Sequence, residues 1–214
     1  SRSDWSSDVC SSDLNAGEAP EFRFDTHVWT SPKRARVQVE NLGAGLAAAA
    51  PDAAASINAA TASYLEDLDA LDAWATASIE TVPEGQRVLF TSHDAFGYFS
   101  GDYGIRFIGA ALTDFNDQQD ATADHIASAV QAVKDSGAVA LFAENSNNSK
   151  SIEAIARGAG VTPIVGDDAL YGDSLGPDGS AGATYVGSII HNVRAVTDAW
   201  GGTAPALPER LAGQ

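Results

Sequence analysis

Arg87-Val88-Leu89-Phe90-Thr91-Ser92-His93-Asp94-Ala95-Phe96-Gly97-Tyr98-Phe99 is the stretch from which the fold is read. Its first four residues form a short, β-rich apolar run, and the residues from Ala95 onward place apolar side chains at helical spacing. His93 therefore stands where a buried strand hands over to a helix. In open α/β sheets ligands bind at the carboxyl ends of the strands, which makes His93 the first candidate functional residue. A capping turn with a partly exposed histidine accounts for the same run on its own.

Downstream the chain alternates. Strand-like runs at Val88–Thr91, Ile105–Gly109, Ala138–Ala143 and Val161–Val165 are separated by helical patterns. The helical patterns cover about Ala95–Tyr103, Thr122–Ser136, Ser149–Ala159 and Ala183–Trp200. Gly104, Gly137 and Gly160 follow three of them as C-terminal stops. This alternation predicts an α/β lobe of βαβ units, with a parallel sheet and helices on both faces. In the last helix Tyr185, Ile189, Val193, Val196 and Trp200 form the stripe expected to be buried.

Upstream, Pro83-Glu84-Gly85 closes a long helical pattern running from about Asp52 to Glu80. Its apolar positions Ile57, Tyr64, Leu65, Leu68, Leu71, Trp74 and Ile79 recur near helical period. Such a helix is either a long surface element or a strut joining two lobes. Before Pro51 a further helix opens at Pro32, where the missing N–H costs nothing, and carries a modest stripe of Val37, Leu42 and Leu46. Glu21–Thr26 alternates like a short strand and runs into His27, which repeats the placement of His93 between strand and helix.

Twelve basic and 29 acidic residues give a formal charge of −17, and 44% of the 214 residues are hydrophobic. This is the composition of a folded chain, and its charge argues against nucleic acid or an anionic membrane surface as partner. No apolar run approaches the roughly 20 residues that span a bilayer. The segment 1–14 (Ser-Arg-Ser-Asp-Trp-Ser-Ser-Asp-Val-Cys-Ser-Ser-Asp-Leu) has no periodicity of either kind and reads as disordered. Asp4–Leu14 resembles the translation of a common short-read sequencing adapter, so residues 1–14 are set aside as non-native. They hold the only cysteine, Cys10, and a cysteine-free remainder permits an exported location without requiring one.

Of four histidines, His125 is expected on a solvated helix face, and His191 in a structural hydrogen-bonding role on the last helix. His27 and His93 are the two placed before helix starts. Asp173 lies in the glycine-bearing loop Tyr171-Gly172-Asp173-Ser174-Leu175-Gly176-Pro177, where a turn-forming aspartate is the plainer reading. Two imidazoles and a carboxylate from three strand-end loops make a workable set of metal ligands, although their separations carry no motif specificity. Neither a phosphate-binding glycine motif nor a nucleophile elbow is present.

Five segments in order carry a family resemblance. They are His27-Val-Trp-Thr-Ser-Pro32, Thr91–Phe99, Leu141-Phe-Ala-Glu-Asn-Ser-Asn-Asn-Ser-Lys150, Tyr171–Pro177 and Thr184-Tyr-Val-Gly-Ser-Ile-Ile-His-Asn-Val193. Together they resemble the zinc/manganese solute-binding proteins of ABC importers, the TroA-like group, over about Phe24 to Trp200. The resemblance implies a bilobal metal-binding fold in which a rigid helix joins the lobes and one ion sits in the cleft. It assigns 15–50 to the remnant of an amino-terminal lobe, 51–81 to the inter-lobe helix and 82–214 to the carboxyl-terminal α/β lobe.

The ligands it implies are His27, His93 and Asp173, with Glu144 orienting one of them. Histidine at 93, where manganese-selective relatives often carry glutamate, leans towards Zn2+ over Mn2+ as the transported ion. The implied partner is an importer permease. The implied location is periplasmic or extracellular, with lipid anchoring through an absent amino terminus as one route. Monomer is the default state, and no chemistry on a substrate is expected.

The family has a further histidine ligand early in its amino-terminal lobe, where this chain has adapter-like residues. The resemblance therefore implies a truncated chain holding three of four ligands, with the Val37/Leu42/Leu46 stripe exposed. An adhesin-like module reusing the fold and a zinc-dependent hydrolase are the alternative classes.

Overall fold

The computed structural model describes residues 25–112 and 123–213. Residues 1–14, and positions 21–24 of the expected first strand, lie outside them. Asp25 and Thr26, the last two residues of that expected strand, are not in strand conformation. A 3-10 turn, Val28–Thr30, leads directly into α1, Pro32–Ala49. Pro51 opens a second 3-10 turn, Pro51–Ala53, so the long helical pattern becomes α2, Ala54–Ile79. At 1.5 Å per residue α2 extends about 39 Å.

α1 and α2 form an antiparallel hairpin: Arg36 pairs with Asp69 at 2.7 Å, and Gly43 lies against Thr61. The surface of α1 that meets α2 uses small residues, whereas Val37, Leu42 and Leu46 are 53%, 63% and 49% exposed. α2 changes character along its length. Its buried residues begin at Leu68 and continue through Leu71, Trp74, Ala75, Ser78 and Ile79, where it packs on α6, Tyr185–Ala199.

The α/β lobe contains β1 (Val88–Thr91), β2 (Arg106–Ala110), β3 (Ala140–Phe142) and β4 (Thr162–Ile164). β1 pairs with β2 and β3 with β4, both in parallel, and the two ladders meet where β1 lies alongside β3. Pro163, which has no N–H to donate, sits in β4. The expected parallel sheet is thus present: β1 has the expected bounds, β2 is shifted by one residue, and β3 and β4 are shortened by one to two residues at their ends.

Side chains alternate between the two faces of the sheet, as a period of two requires, and both faces are buried in β1 and β3. Leu89, Ala140 and Phe142 face one core with α2, α6 and the short α3 (Gly97–Asp102). Val88, Phe90, Leu141 and Ala143 face a second core with α4 (Ala123–Ser136) and α5 (Lys150–Ala159). The expected helix 95–103 is the single turn-and-a-half of α3. In α6 the expected stripe is buried at Ile189, Val193, Val196 and Trp200, with Tyr185 half-buried. Gly104, Gly137 and Gly160 all have positive φ, the left-handed stop that ends a helix without strain in glycine.

Candidate metal centre

Three chain segments deliver the candidate residues to one place. His93 follows β1, and its backbone is fixed on both sides. Its carbonyl accepts from the Thr91 hydroxyl at 2.7 Å and from the Ala95 N–H at 3.0 Å. Its own N–H donates to Glu144 Oε1 at 2.9 Å. Glu144, fully buried just past β3, has its other oxygen, Oε2, 2.6 Å from His93 Nδ1. Ser92 Oγ accepts from the Glu144 N–H at 3.1 Å, which locks the ends of β1 and β3 together.

His27 is buried ahead of the first 3-10 turn. Oδ1 of Asp25 accepts its N–H at 2.9 Å and lies 2.7 Å from its Nδ1. Asp173 is placed by the loop after Leu170. Asn192 of α6 holds Tyr171 through two hydrogen bonds of 2.8 Å, accepting its N–H and donating to its carbonyl. Asn145 donates to the carbonyl and hydroxyl oxygens of Ser174. Trp29 Nε1 donates to the Gly172 carbonyl at 3.0 Å, and the Tyr185 hydroxyl donates to the Trp29 carbonyl at 2.8 Å.

The outcome is a convergence of nitrogens and oxygens on one point. His93 Nε2 is 3.0 Å from Asp173 Oδ2, and His27 Nε2 is 3.7 Å from Asp173 Oδ1. One donor atom from each of the three residues lies within 4.8 Å of the others. A zinc ion about 2.0–2.2 Å from each donor would set tetrahedral neighbours roughly 3.3 Å apart, so these separations suit one shared cation. The buried Nε2 of His93 has no hydrogen-bond partner, because the nearby Asp173 oxygen lacks the alignment for one. An orphaned buried nitrogen is costly unless something electrophilic meets it. Burial alone would lower the pKa of His93. The hydrogen bond and charge of Glu144, with the Asp173 carboxylate, outweigh it and leave the pKa above the usual imidazole value.

His125 departs from its expected solvated position: it is half-buried, with Nε2 3.3 Å from the Ala110 carbonyl oxygen. His191 takes a structural role, its Nε2 3.0 Å from the Ala169 carbonyl and its ring edge-on to Tyr171. Asp25, Trp29 and Tyr185 escaped the sequence reading as parts of the site. Asp25 was counted into a strand, although an aspartate two residues before a histidine is a local signal for a side-chain turn.

A parallel α/β lobe thus brings two imidazoles and a carboxylate together beside its strand ends. The chain belongs to the family described as zinc-uptake complex component A, periplasmic (ZnuA), whose model matches residues 3–199. That family comprises solute-binding proteins of ABC importers, not enzymes. The match begins inside the stretch 1–14.

The manganese-binding lipoprotein MntA of Bacillus subtilis (strain 168) is 35% identical over 189 residues, which is 87% of this chain and 60% of that protein. The zinc-binding protein TroA of Treponema pallidum (strain Nichols) is 32% identical over 184 residues, 84% of this chain and 58% of that protein. The chain therefore spans about 60% of the length of these curated relatives. Among solved structures, the periplasmic zinc-binding protein TroA from Treponema pallidum superposes with a TM-score of 0.76 at 30% identity. It covers 86% of this chain and 66% of its own. A Cd-bound periplasmic metal-binding protein from Candidatus Liberibacter asiaticus, at 18% identity and a TM-score of 0.74 over 88% and 69% of the two chains, shares the fold.

Proposed function

We propose that this chain captures a divalent transition-metal ion outside the cytoplasm and presents it to the permease of an ABC importer. His27, His93 and Asp173 are the ligands in this reading, and zinc is favoured over manganese. The observation that carries it is the meeting of three donors from three distant segments within 4.8 Å, one of them a buried nitrogen without a partner. Two imidazoles and one carboxylate suit zinc better than manganese, which prefers oxygen donors. Relatives named for each metal exist, so the support for zinc comes from the donor set and not from kinship.

Three donors leave a fourth position of tetrahedral zinc for a water molecule or a further ligand. In the same reading, 15–50 belongs to an amino-terminal lobe, 51–81 is the helix that joins the lobes, and 82–214 is the carboxyl-terminal lobe. The α2 helix supports this division by running from a region held only by α1 into the core of the α/β lobe. The protein acts as a monomer in a periplasmic or extracellular setting, either free or lipid-anchored.

Calorimetric titration of the chain with zinc and with manganese, beside His93→Ala, tests the proposal. One ion per chain, tighter for zinc and lost in the variant, is the expected result. Failure of both metals to bind the unmodified chain would overturn it.

A further inference from the structure

Residues 203–211 follow α6, lie beyond the span matched by the family model, and run back along α2. The Thr203 N–H donates to Thr81 Oγ1 at 3.0 Å, and Trp74 Nε1 donates to the Pro205 carbonyl at 3.0 Å. Further out, Arg210 reaches three residues of α2. Its Nε lies 2.5 Å from Asp67 Oδ1, and its Nη2 lies 2.9 Å from Glu66 Oε2. Nη2 also donates to the Ser63 carbonyl at 2.9 Å. The α2 numbers fall as the tail numbers rise, so the tail lies antiparallel to the helix. Leu211, fully buried, anchors its end in the core that α2 and α6 share. Pro205 and Pro208 restrict the tail before it docks, which lowers the entropy lost on fixing it.

The sequence of α2 explains why a cation from outside is useful there. Glu66, Asp67, Asp69 and Asp72 place four carboxylates within seven residues, and α2 contains no Lys, Arg or His. Like charges that neighbour one another on a helix surface destabilise it, and no cation of its own offsets them. Relief comes from other elements. Arg36 of α1 pairs with Asp69, the Tyr103 hydroxyl donates to Asp72 at 2.8 Å, and Arg210 takes Glu66 and Asp67. A single exposed ion pair is weak. Here one guanidinium meets two carboxylates and a backbone carbonyl, and it is held in place by the buried Leu211 beside it. The buried run of α2 begins at Leu68, so all three Arg210 contacts lie outside that run, on the stretch of helix next to it.

We propose that residues 203–211 form a strap that carries the fixed part of α2 outward from Leu68 to Ser63 and so sets the point beyond which the helix flexes. In the division into lobes given above, that point is the pivot of the joining helix. The pivot rests on that division, whereas the strap does not.

The test is amide hydrogen exchange of the metal-free chain, resolved by residue with nuclear magnetic resonance, beside Arg210→Ala and Arg210→Lys. In the unmodified chain the amides of 63–67 are expected to exchange about tenfold more slowly than those of 55–60. Arg210→Ala is expected to quicken 63–67 by about three- to tenfold and to leave 55–60 and 71–79 unchanged. Arg210→Lys keeps the charge without the planar fork and is expected to fall between the two. Equal exchange across 55–67 in the unmodified chain would overturn the inference, as would unaltered rates at 63–67 in Arg210→Ala. If Arg210→Ala fails to fold, the unmodified chain and Arg210→Lys decide the matter in the same way. Protection at 63–67 that depends on Arg210, in a chain that binds no zinc, would uphold the strap while removing the metal-capture proposal.

Discussion

Trp29 and Gly172, 143 positions apart in sequence, are joined by a hydrogen bond of 3.0 Å from the indole Nε1 to the backbone carbonyl. It ties the turn that carries His27 to the loop that carries Asp173, so two proposed ligands share one mechanical link. Trp29→Phe keeps most of the apolar ring and removes the donor. A hydrogen bond of this kind contributes about 1 kcal/mol net, which is close to a tenfold effect if all of it acts through ligand placement. Zinc affinity measured by chelator competition is therefore expected to fall by up to about tenfold without loss of the fold. An unchanged affinity would show that the His27 turn is held by other contacts.

Metal capture should stabilise the chain by mass action. At a free zinc concentration one hundred times the dissociation constant the gain is about 2.7 kcal/mol, and a chain of this size converts each kcal/mol into roughly 2–4 °C of melting temperature. A rise of about 5–11 °C is expected on adding zinc, reversed by a chelator. In Asp173→Ala the rise should vanish while the metal-free melting temperature stays close to that of the unmodified chain, since Asp173 is 41% exposed. Differential scanning calorimetry with and without zinc reads both quantities.

The contact between α1 and α3 predicts a pH dependence. Asp102 accepts from Ser31 Oγ at 2.8 Å and from two nitrogens of Arg34 at 2.9 Å each. Burial alone would raise its pKa, but the hydrogen bonds of Arg34 and Ser31, with the charges of Arg34 and Lys33, outweigh that and hold it below 3.8. A carboxylate lowered in the folded state adds stability above its unfolded pKa. That stability is lost as pH falls through the folded value. Asp102→Asn is thus expected to be less stable at neutral pH, by about 1 kcal/mol or less given the partly exposed Arg34. The difference should shrink to nothing as the pH falls below 3.8 and on through the lowered folded value. Urea midpoints of the two chains across pH measure it.

Phe142 reports on the core. It is fully buried in β3, with its ring edge-on to Trp200, the residue that follows α6, at 6.0 Å. Phe142→Ala should cost about 3–5 kcal/mol, a large share of the stability of any single domain. Far-ultraviolet circular dichroism under denaturant would register this as a midpoint shift or outright loss of the transition. A shift worth under about 1 kcal/mol would mean that the cavity collapses, which the surrounding helices do not favour.

The βαβ lobe was legible because short apolar strand-like runs, period-3.6 helices and glycine stops agreed from Arg87 to Trp200. Leu89 and Phe142 lie in one core and Phe90 and Leu141 in the other, a division between faces that continuous apolar runs do not declare. His93 and Asp173 were legible through their place after strands, and His27 through its likeness to His93. Local pattern could not show that Asp25 grips His27, because alternating residues at 21–26 imitate a strand while the aspartate side chain makes its own turn. Nor could it show the Trp29–Gly172 link, since no periodicity encodes a contact between residues so far apart. The partial burial of His125 escaped for the same reason: its partner, the Ala110 carbonyl, belongs to another element.

The change along α2 has a consequence for motion. Amides of residues 68–79 lie in a segment packed into the core and should exchange with solvent only through cooperative unfolding. Those of residues 54–67 belong to the same continuous helix but to its less buried half, and should exchange through local opening of the hairpin. One helix thus spans two kinetic regimes, and its outer half can breathe or reorient while its inner half stays packed on α6.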